Sequence, residues 1–354
     1  MAQNIGFVIG AFKQPQVLAQ IESECYPIHE FILFLRRNKA RAFYYDDLKR
    51  LDPDRFESLK AEGSLAWGMP AVVSSVDPPL DLILATGEDV GLPLALDTTT
   101  EKRRLPIYII THGFLVRNAH AMESVSKMDH VHFLCLSEKL RKIVVERFGV
   151  PEWRVTNTGY GLDTRFFRPA TSTSSARPLI VSAGAANRDY RTLVKAVETL
   201  DVDLKIAAAS TWCPTHINID IDSLPPNIEI RSYGDYERLR ELYAAASFVV
   251  VPLLPAPFAC GYAVIVEAMG MGKAVVVTKT ESHSDFVIDG ETGYYVRPGD
   301  VRELQDKIKH LLSRPELTRL MGQRGRLTIE RNYSVEKYCE RLENAIEEVT
   351  RVEN

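Results

Sequence analysis

The sequence predicts an α/β protein with two Rossmann-like doubly wound domains that face a central cleft. Three observations predict this fold. Short apolar runs alternate with segments of helical periodicity. A Ser/Thr/Pro-rich stretch interrupts that alternation at about residues 165–178, and the alternation then restarts with LIVSAG. A chain of 354 residues is also too long for one ordinary hydrophobic core.

The first half of the chain contains apolar runs that are typical of buried parallel strands. They are, in order, NIGFVIGAF, FILFLRR, AVVSS, DLILATG, LPIYIITHG and VHFLCLS. A helix is expected after the last run, because Ser137 is a suitable N-cap for it and Gly149 a suitable end. Strands and helices therefore alternate over this half.

The second half repeats the pattern. Its predicted strands are LIVSAG, DLKIAAAS, IEIRSY, SFVVVPL and KAVVVT. Helices are predicted over 188–199 and 235–246, and a last helix over 334–350 follows a domain that is already complete. We expect an N-terminal Rossmann-like domain over 1–168, a linker over 169–177 and a C-terminal Rossmann-like domain over 178–330. A helix over 331–354 is expected to cross back to the N-terminal domain.

Composition narrows the function classes. Hydrophobic residues make up 45% and charged residues 25% of the chain, as in globular proteins, and a formal net charge of −4 gives no general attraction to nucleic acid. The five cysteines are scattered without a CxxC pair, which argues against disulfides and structural zinc and favours a reducing compartment. No apolar run is long enough to span a membrane, and the N-terminus does not resemble a secretory signal. We expect a cytoplasmic protein that can contact a membrane surface peripherally.

The segment CGYAVIVEAMGMGKAVVV contains the main candidate site. Gly261 lies between the strand SFVVVPL and a predicted helix, so backbone N–H groups at the helix start would face the cleft and bind a phosphate. Glu267 lies nearly two turns further on, where a carboxylate can accept hydrogen bonds from two neighbouring hydroxyls, as on a ribose. A solvent-facing or loop-capping glutamate is the simpler interpretation.

Several motifs together resemble glycosyltransferase family 4. They are EAMGMGKAVVVT with DFVIDGETGYYVRPGD, THG at 111–113, LSEKLRKIVVERFGVPEWRV and GLDTRFFRP. Their order along the chain agrees with the family, and the similarity runs from about residue 105 to 335. The resemblance implies the GT-B fold and a retaining enzyme that uses a nucleotide sugar. It also implies that the N-terminal domain is the acceptor side and that the C-terminal domain binds the nucleotide sugar.

The family carries two glutamates separated by seven residues, and this chain keeps only the second. Glu267 resembles the glutamate that holds the nucleotide ribose, whereas Ala259 stands where the first glutamate holds the transferred sugar. This departure implies an altered donor, a replacement from another loop or lost activity. Gly261, Tyr262 and Ala263 would offer backbone N–H groups to the donor.

The resemblance also assigns groups to the donor diphosphate and sugar. Gly184 follows a strand, Ala185 stands where the family has an arginine, and Arg188 is expected to pair with the diphosphate. His112 is expected to hydrogen-bond near the donor sugar and its phosphate, and Lys273 is a further candidate for neutralising the leaving group. The simpler interpretations are a solvent-facing Arg188 and a packed or surface His112.

Loop residues complete the predicted site. Backbone groups of Tyr233 are expected to contact the base, and Trp212 could stack on it. In the first domain, the loops GAFKQPQ and TGEDVG would line the acceptor side, where the candidate residues are Gly10, Lys13, Glu88 and Asp89. A solvated acidic loop explains the last two equally well.

We therefore predict a metal-independent retaining hexosyltransferase. It would move a sugar from a nucleoside diphosphate sugar to a hydroxyl of a glycan, glycolipid or small metabolite, with His112, Arg188 and Glu267 as the catalytic residues and no cofactor. Front-side attack, with the departing phosphate oxygen as the base, is the mechanism that the resemblance implies. Two alternatives remain: a sugar-nucleotide epimerase or phosphorylase of the same fold, and a non-catalytic protein that binds a nucleotide sugar or a partner, which Ala185 and Ala259 favour.

Overall fold

A computed structural model describes residues 4–114, 118–170, 177–208 and 224–352. The chain divides into two compact units. The first unit comprises Met1–Ala19, His29–Tyr160 and Tyr338–Asn354, and the second comprises Gln20–Ile28 and Gly161–Lys337.

The described residues form twelve strands and fifteen α-helices. The strands are β1 Ile5–Val8, β2 Arg41–Phe43, β3 Leu82–Ala85, β4 Ile107–Thr111, β5 Val131–Cys135, β6 Val155–Asn157, β7 Leu179–Ala183, β8 Asp203–Ala207, β9 Ile228–Arg231, β10 Phe248–Val251, β11 Val275–Thr278 and β12 Gly293–Val296. The helices of the first half are α1 Pro15–Glu22, α2 Glu30–Asn38, α3 Tyr45–Leu51, α4 Pro53–Ala61, α5 Met69–Ser74, α6 Glu88–Leu96, α7 Thr98–Arg103, α8 Ala119–Val125 and α9 Glu138–Lys142. Those of the second half are α10 Tyr190–Val197, α11 Tyr236–Ala245, α12 Tyr262–Gly270, α13 Val301–Leu312, α14 Pro315–Asn332 and α15 Val335–Val352.

The first unit is built on a six-stranded parallel sheet in the order β2-β1-β3-β4-β5-β6. Phe7 of β1 lies opposite Leu84 of β3, and both side chains are fully buried. Because helices cover both faces of such a sheet, its strands are apolar along their whole length rather than alternating. Helix α15 contributes to this unit, where Glu343 forms an ion pair of 2.9 Å with Arg37 and Tyr108 donates from its hydroxyl to the Ile346 carbonyl at 3.5 Å.

The second unit is built on a second six-stranded parallel sheet, in the order β12-β11-β10-β7-β8-β9. Val249 of β10 lies opposite Val181 of β7 at its centre. On one face of the sheet, apolar side chains of α10, α13 and α14 pack against the strands, among them Leu193, Ile308 and Met321. The predicted fold class, α/β with two doubly wound parallel sheets, is confirmed.

Two predicted strands of the first unit are wrong. The run FILFLRR lies in helix α2, which has Glu30 in its first turn and Arg36 and Arg37 in its last, so that the side-chain charges complement the helix dipole. The run AVVSS lies in helix α5, where Pro70 in the first turn presets the helical backbone angle. Short apolar runs of this length fit a buried helix as well as a buried strand.

The helix expected after VHFLCLS is present. The side-chain oxygen of Ser137 accepts a hydrogen bond of 3.3 Å from the Leu140 amide, and α9 continues as a π-helical turn over Ile143–Arg147. Gly149 then follows with a φ of 67°, a conformation that glycine adopts at little cost. Among the described residues, no helix is long and apolar enough to cross a bilayer.

Candidate functional site

The strand order of the second sheet reverses beside β7. The chain runs outward through β8 and β9, then returns to place β10 on the other side of β7. The loops that follow β7 and β10 therefore leave the same edge of the sheet side by side, while the chain continues in opposite directions. Ligands of open parallel sheets bind at such a switch point.

Hydrogen bonds hold these two loops together. Asn187, which adopts a left-handed φ of 55°, donates from its side-chain amide to the Leu254 carbonyl at 2.9 Å. The Leu254 amide donates back to the Asn187 carbonyl at 3.1 Å, and the Asp189 amide donates to the Pro252 carbonyl at the same distance. The two loops thus form one fixed surface at the carboxyl edge of the sheet.

Gly261 ends the second loop and is the N-cap of α12. Its φ of 72° is left-handed, and a Cβ at this position would lie 2.8 Å from Cγ1 of Val251, so that both conformation and space require glycine. The first turn of α12 begins with Tyr262 and Ala263. An α-helix leaves the N–H groups of its first turn without internal acceptors, which makes this turn suitable for an anion. The Tyr262 side chain packs inward and donates to the Ser282 carbonyl at 2.5 Å.

The simpler interpretation, in which Glu267 faces solvent, is wrong. Its side chain is buried, with 7% exposure, and Oε2 accepts a hydrogen bond of 2.9 Å from the Tyr243 hydroxyl. Burial raises the pKa of Glu267 to about 7, although the hydrogen bond from Tyr243 and the charge of Arg188 oppose this shift. Tyr243 is a buried residue of α11, and the helical spacing of its segment does not show that its hydroxyl meets a carboxylate.

Arg188 lies folded into the loop after β7 and is half-buried. Its Nε donates to the Ala183 carbonyl at 2.9 Å, and Nη1 donates to the Ala186 carbonyl at 2.7 Å. Gly184, with a φ of 90°, makes room for the guanidinium, because a Cβ there would overlap with Nη2. The positive charge of Arg188 lowers the pKa of Glu267, so the two predicted donor residues lie in one electrostatic environment.

The other predicted donor groups have mixed outcomes. The ring of Tyr233 lies under the guanidinium of Arg231, 4.6 Å from its centroid, and the Tyr233 carbonyl accepts from the Asp235 amide at 2.9 Å. The base contact of Tyr233 stays a prediction, and Trp212 lies outside the described residues. The assignment of Lys273 to the leaving group is wrong. Lys273 precedes β11, at the opposite edge of the sheet from Gly261, and its ammonium donates to the carbonyls of Ala244 and Ala246 at 2.8 Å each.

The first unit has a comparable switch point between β1 and β3. Gly10 follows β1, and its amide donates to the Thr86 hydroxyl, after β3, at 3.1 Å. Asp89 is exposed at the start of α6. A Cβ on Gly87 would lie 2.6 Å from Oδ1 of Asp89, and one on Gly10 would overlap with Oδ2, so the two glycines leave room for this carboxylate.

Glu88 has a different place from its neighbour. It is 1% exposed, and Oε1 accepts hydrogen bonds from the amides of Gly113 at 2.7 Å and Phe114 at 3.1 Å. Burial raises its pKa, while the charge of His112 and the backbone hydrogen bonds oppose the shift. The prediction that Glu88 binds acceptor hydroxyls is therefore wrong, because its carboxylate holds the turn after His112 and lies out of reach of solvent.

His112 is held from two sides. Its Nε2 donates to the Thr86 carbonyl at 3.0 Å, and the turn that follows it is fixed by Glu88. Since a carbonyl only accepts, a proton lies on Nε2, and Nδ1 accepts no hydrogen bond from any residue that the structure describes. Lys13 is exposed, and its backbone amide donates to Asp46 at 2.6 Å.

A sequence family model matches part of the second unit. The family model described as "Glycosyl transferases group 1" matches residues 177–314. An uncharacterized glycosyltransferase of Methanocaldococcus jannaschii is 24% identical over 172 residues, which make up 49% of this chain and 48% of that protein. The alignment thus spans about half the length of this curated relative.

Solved structures are similar over nearly the whole chain. A sucrose-phosphate synthase from Thermosynechococcus elongatus aligns with a TM-score of 0.74 and 16% identity, covering 99% of this chain and 100% of that one. Anabaena HepE in complex with UDP-glucose aligns with a TM-score of 0.68 and 16% identity, covering 98% and 100%. At this identity the likeness shows the fold, which is GT-B. Within that fold, residues 177–314, which hold Gly184, Arg188, Gly261 and Glu267, match the group 1 glycosyl transferases.

Proposed function

We propose that this protein is a retaining glycosyltransferase of family 4, which transfers a sugar from a nucleoside diphosphate sugar to an acceptor hydroxyl. The observation that carries the proposal is the buried carboxylate of Glu267, which lies in α12 behind the Gly261 helix start and within the field of Arg188. A buried carboxylate without an ion pair is costly, so its presence at a switch point favours a ligand role.

Two parts of the donor, the ribose and the diphosphate, have matching groups. The ribose hydroxyls would donate to Glu267, and the diphosphate would accept from the N–H groups at the start of α12 and from Arg188. The UDP-glucose bound by Anabaena HepE supports a nucleotide sugar as the class of donor.

The proposed chemistry needs no side-chain nucleophile. The bond between the anomeric carbon and the phosphate oxygen breaks, and the acceptor oxygen bonds to the same face of that carbon. The acceptor proton passes to the departing phosphate oxygen, whose negative charge Arg188 and the helix start offset. The role of His112 beside the sugar is proposed from the resemblance.

A non-catalytic nucleotide-sugar-binding protein is the second candidate. Ala259 removes the family's sugar-holding carboxylate, and Ala185 removes a phosphate-holding arginine. Both losses lie on the sugar and phosphate side, whereas Glu267, on the ribose side, is kept.

One titration separates these candidates. We would follow the thermal stability of the full chain with UDP-glucose, ADP-glucose, GDP-mannose and the free diphosphates, because a ligand at about a hundred times its dissociation constant adds about 2.7 kcal/mol. We expect one base to stabilise the wild type and to lose its effect in Glu267→Ala. Release of the diphosphate on addition of hydroxyl acceptors would then support transfer, whereas binding without turnover would support the second candidate. No stabilisation by any nucleotide would contradict both.

A further inference from the structure

We infer that Tyr243 is a positioning residue for the donor ribose: its hydroxyl occupies one oxygen of Glu267 and thereby orients the other toward the ligand. This inference rests on the proposed donor role of Glu267, and it adds a residue that contacts no substrate itself.

Only one of the two carboxylate oxygens of Glu267 accepts a hydrogen bond from the described part of the chain. The Tyr243 hydroxyl donates to Oε2 at 2.9 Å, whereas Oε1 accepts no hydrogen bond from any residue that the structure describes. A carboxylate can accept about two hydrogen bonds on each oxygen. The arrangement therefore leaves Oε1 for donors that come from outside the protein, such as the two hydroxyls of a ribose.

Tyr243 is itself firmly held. Its side chain has 0% exposure, and the carbonyls of Ala244 and Ala246, which follow it at the end of α11, both accept from the Lys273 ammonium at 2.8 Å. The end of α11 is thus tied to the residue before β11. A buried ring on an anchored helix end presents its hydroxyl in one place, as a positioning group requires.

The ionisable groups near the carboxylate set the pH at which it can act. Arg188 and Tyr243 both lower the pKa of Glu267 against the effect of burial, and Tyr190 lies near Tyr243. A ribose hydroxyl donates a stronger hydrogen bond to the ionised carboxylate than to the neutral acid. With a pKa of about 7, donor affinity should rise with pH through neutrality and level off above it.

Replacing the hydroxyl separates orientation from packing. Tyr243→Phe keeps the ring but removes a hydrogen bond to the charged form, which raises the pKa of Glu267 further. The midpoint of the pH profile should then move to higher pH, and the affinity ratio of wild type to variant should be several-fold at neutral pH and shrink in alkali. Loss of packing alone would lower affinity by the same factor at every pH.

The test is calorimetric binding between about pH 6 and 8.5, with UDP-glucose, ADP-glucose and GDP-mannose as probes, because their diphosphate diesters do not titrate in this range. The matched control is Tyr338→Phe, which removes another buried hydroxyl, on α15 of the first unit. We expect the control to share the midpoint of the wild type and Tyr243→Phe to differ from it. An unshifted midpoint in Tyr243→Phe would overturn the inference.

A second variant covers the case in which Tyr243→Phe does not fold. Glu267→Gln cannot titrate, so its weak remaining affinity should be independent of pH in this range. A profile that still rises through neutrality in Glu267→Gln would overturn the inference. If the wild type binds none of the three probes, the proposed function is contradicted. If the wild type binds a probe but the midpoint does not shift in Tyr243→Phe, only the positioning role of Tyr243 is contradicted.

Discussion

Glu267 lies in a helix whose other residues from Val264 to Gly270 are also buried. An uncompensated carboxylate in such a place would be protonated or would destabilise the fold by several kcal/mol. Here the hydroxyl of Tyr243 and the charge of Arg188 supply partial compensation, so the side chain titrates near neutrality instead of staying permanently neutral. The residue is tolerated at a cost in stability, which is expected of a group kept for a ligand.

This cost predicts how stability depends on pH. The pKa of Glu267 is about 7 in the folded chain against 4.5 for an ordinary glutamate, so the unfolded state loses its proton first as pH rises. The free energy of unfolding should therefore fall between pH 4.5 and 7, by up to about 3 kcal/mol from this group. Glu267→Gln removes that cost, and urea denaturation at pH 8 should show a variant at least as stable as the wild type. A clear loss of stability in Glu267→Gln would contradict this account.

The local sequence does not determine which way the side chains of two neighbouring carboxylates point. Glu88 and Asp89 are adjacent and chemically alike, and both were predicted on the acceptor side. The carboxylate of Glu88 turns inward to two backbone amides, whereas Asp89 stays exposed above two glycines. The direction of each side chain depends on contacts with Gly113 and Gly10, which are far away in the chain, so no local pattern separates them.

Among the helices and strands, hydrophobic periodicity predicted which segments are buried better than it predicted whether a segment is a helix or a strand. FILFLRR and AVVSS were correctly expected to contain buried residues but form α2 and α5. The edge strands β2 and β6 were missed because each has only three residues and partly exposed side chains. Long runs such as SFVVVPL have no such ambiguity, since β-branched residues bounded by turn residues favour strands.

Helix α14 provides a prediction about the packing of the second unit. The guanidinium of Arg326 is 14% exposed and donates to the carbonyls of Phe167, Gly270 and Thr164 at 2.5, 2.6 and 2.9 Å. Arg326→Met would leave three carbonyls without this donor, and we expect urea denaturation to show a loss of about 2–4 kcal/mol.

The same helix offers the control. Arg319 is 59% exposed and pairs only with Glu316, one turn earlier, so Arg319→Met should cost less than about 1 kcal/mol. Equal losses in the two variants would show that the three carbonyl contacts of Arg326 contribute no net stability.

Strand β5 predicts acid sensitivity in the first unit. His132 is 2% exposed, stacks on Tyr108 with 4.8 Å between ring centroids, and neither of its ring nitrogens has a hydrogen-bond partner in the described part of the chain. Burial lowers its pKa to about 4, and the charges of Arg154 and His130 add to the shift. As pH falls from 6.5 toward 4, His132 binds a proton in the unfolded state but stays neutral in the folded state. The free energy of unfolding therefore falls in this pH range.

His132→Phe removes this titration and keeps the stacked ring. Between pH 6.5 and 4 we expect the wild type to lose on the order of 3 kcal/mol more stability than the variant. The exposed His120 provides the control, since His120→Phe should follow the wild-type profile. Parallel profiles for wild type and His132→Phe would contradict the prediction.

For the molecule as a whole, the sequence predicts two parallel sheets but does not predict the order of the strands in either sheet. That order decides where the switch points lie, and it depends on the side to which each crossover returns after β2 and after β9. Helix packing on the finished sheet determines that direction, so apolar runs alone do not specify it. The sequence nevertheless predicts glycines in the loops after β1, β3, β7 and β10. Gly10, Gly87 and Gly184 follow their strands within two residues, and Gly261 ends the longer loop after β10.

The proposed enzyme is expected to work without a metal ion, and the net charge of the chain limits how the charge of the diphosphate can be compensated. A formal net charge of −4 supplies no general attraction for a diphosphate, so the compensating charge must be local. In the proposed site this charge would come from Arg188 and the start of α12. We therefore expect UDP-glucose, or whichever probe binds, to show the same affinity before and after treatment with EDTA. Arg188→Gln should weaken binding of the diphosphate at least about ten-fold, as loss of a charged hydrogen bond implies. If EDTA instead abolished binding and Mg²⁺ restored it, the diphosphate would depend on a cation, and the charge assigned to Arg188 would be insufficient.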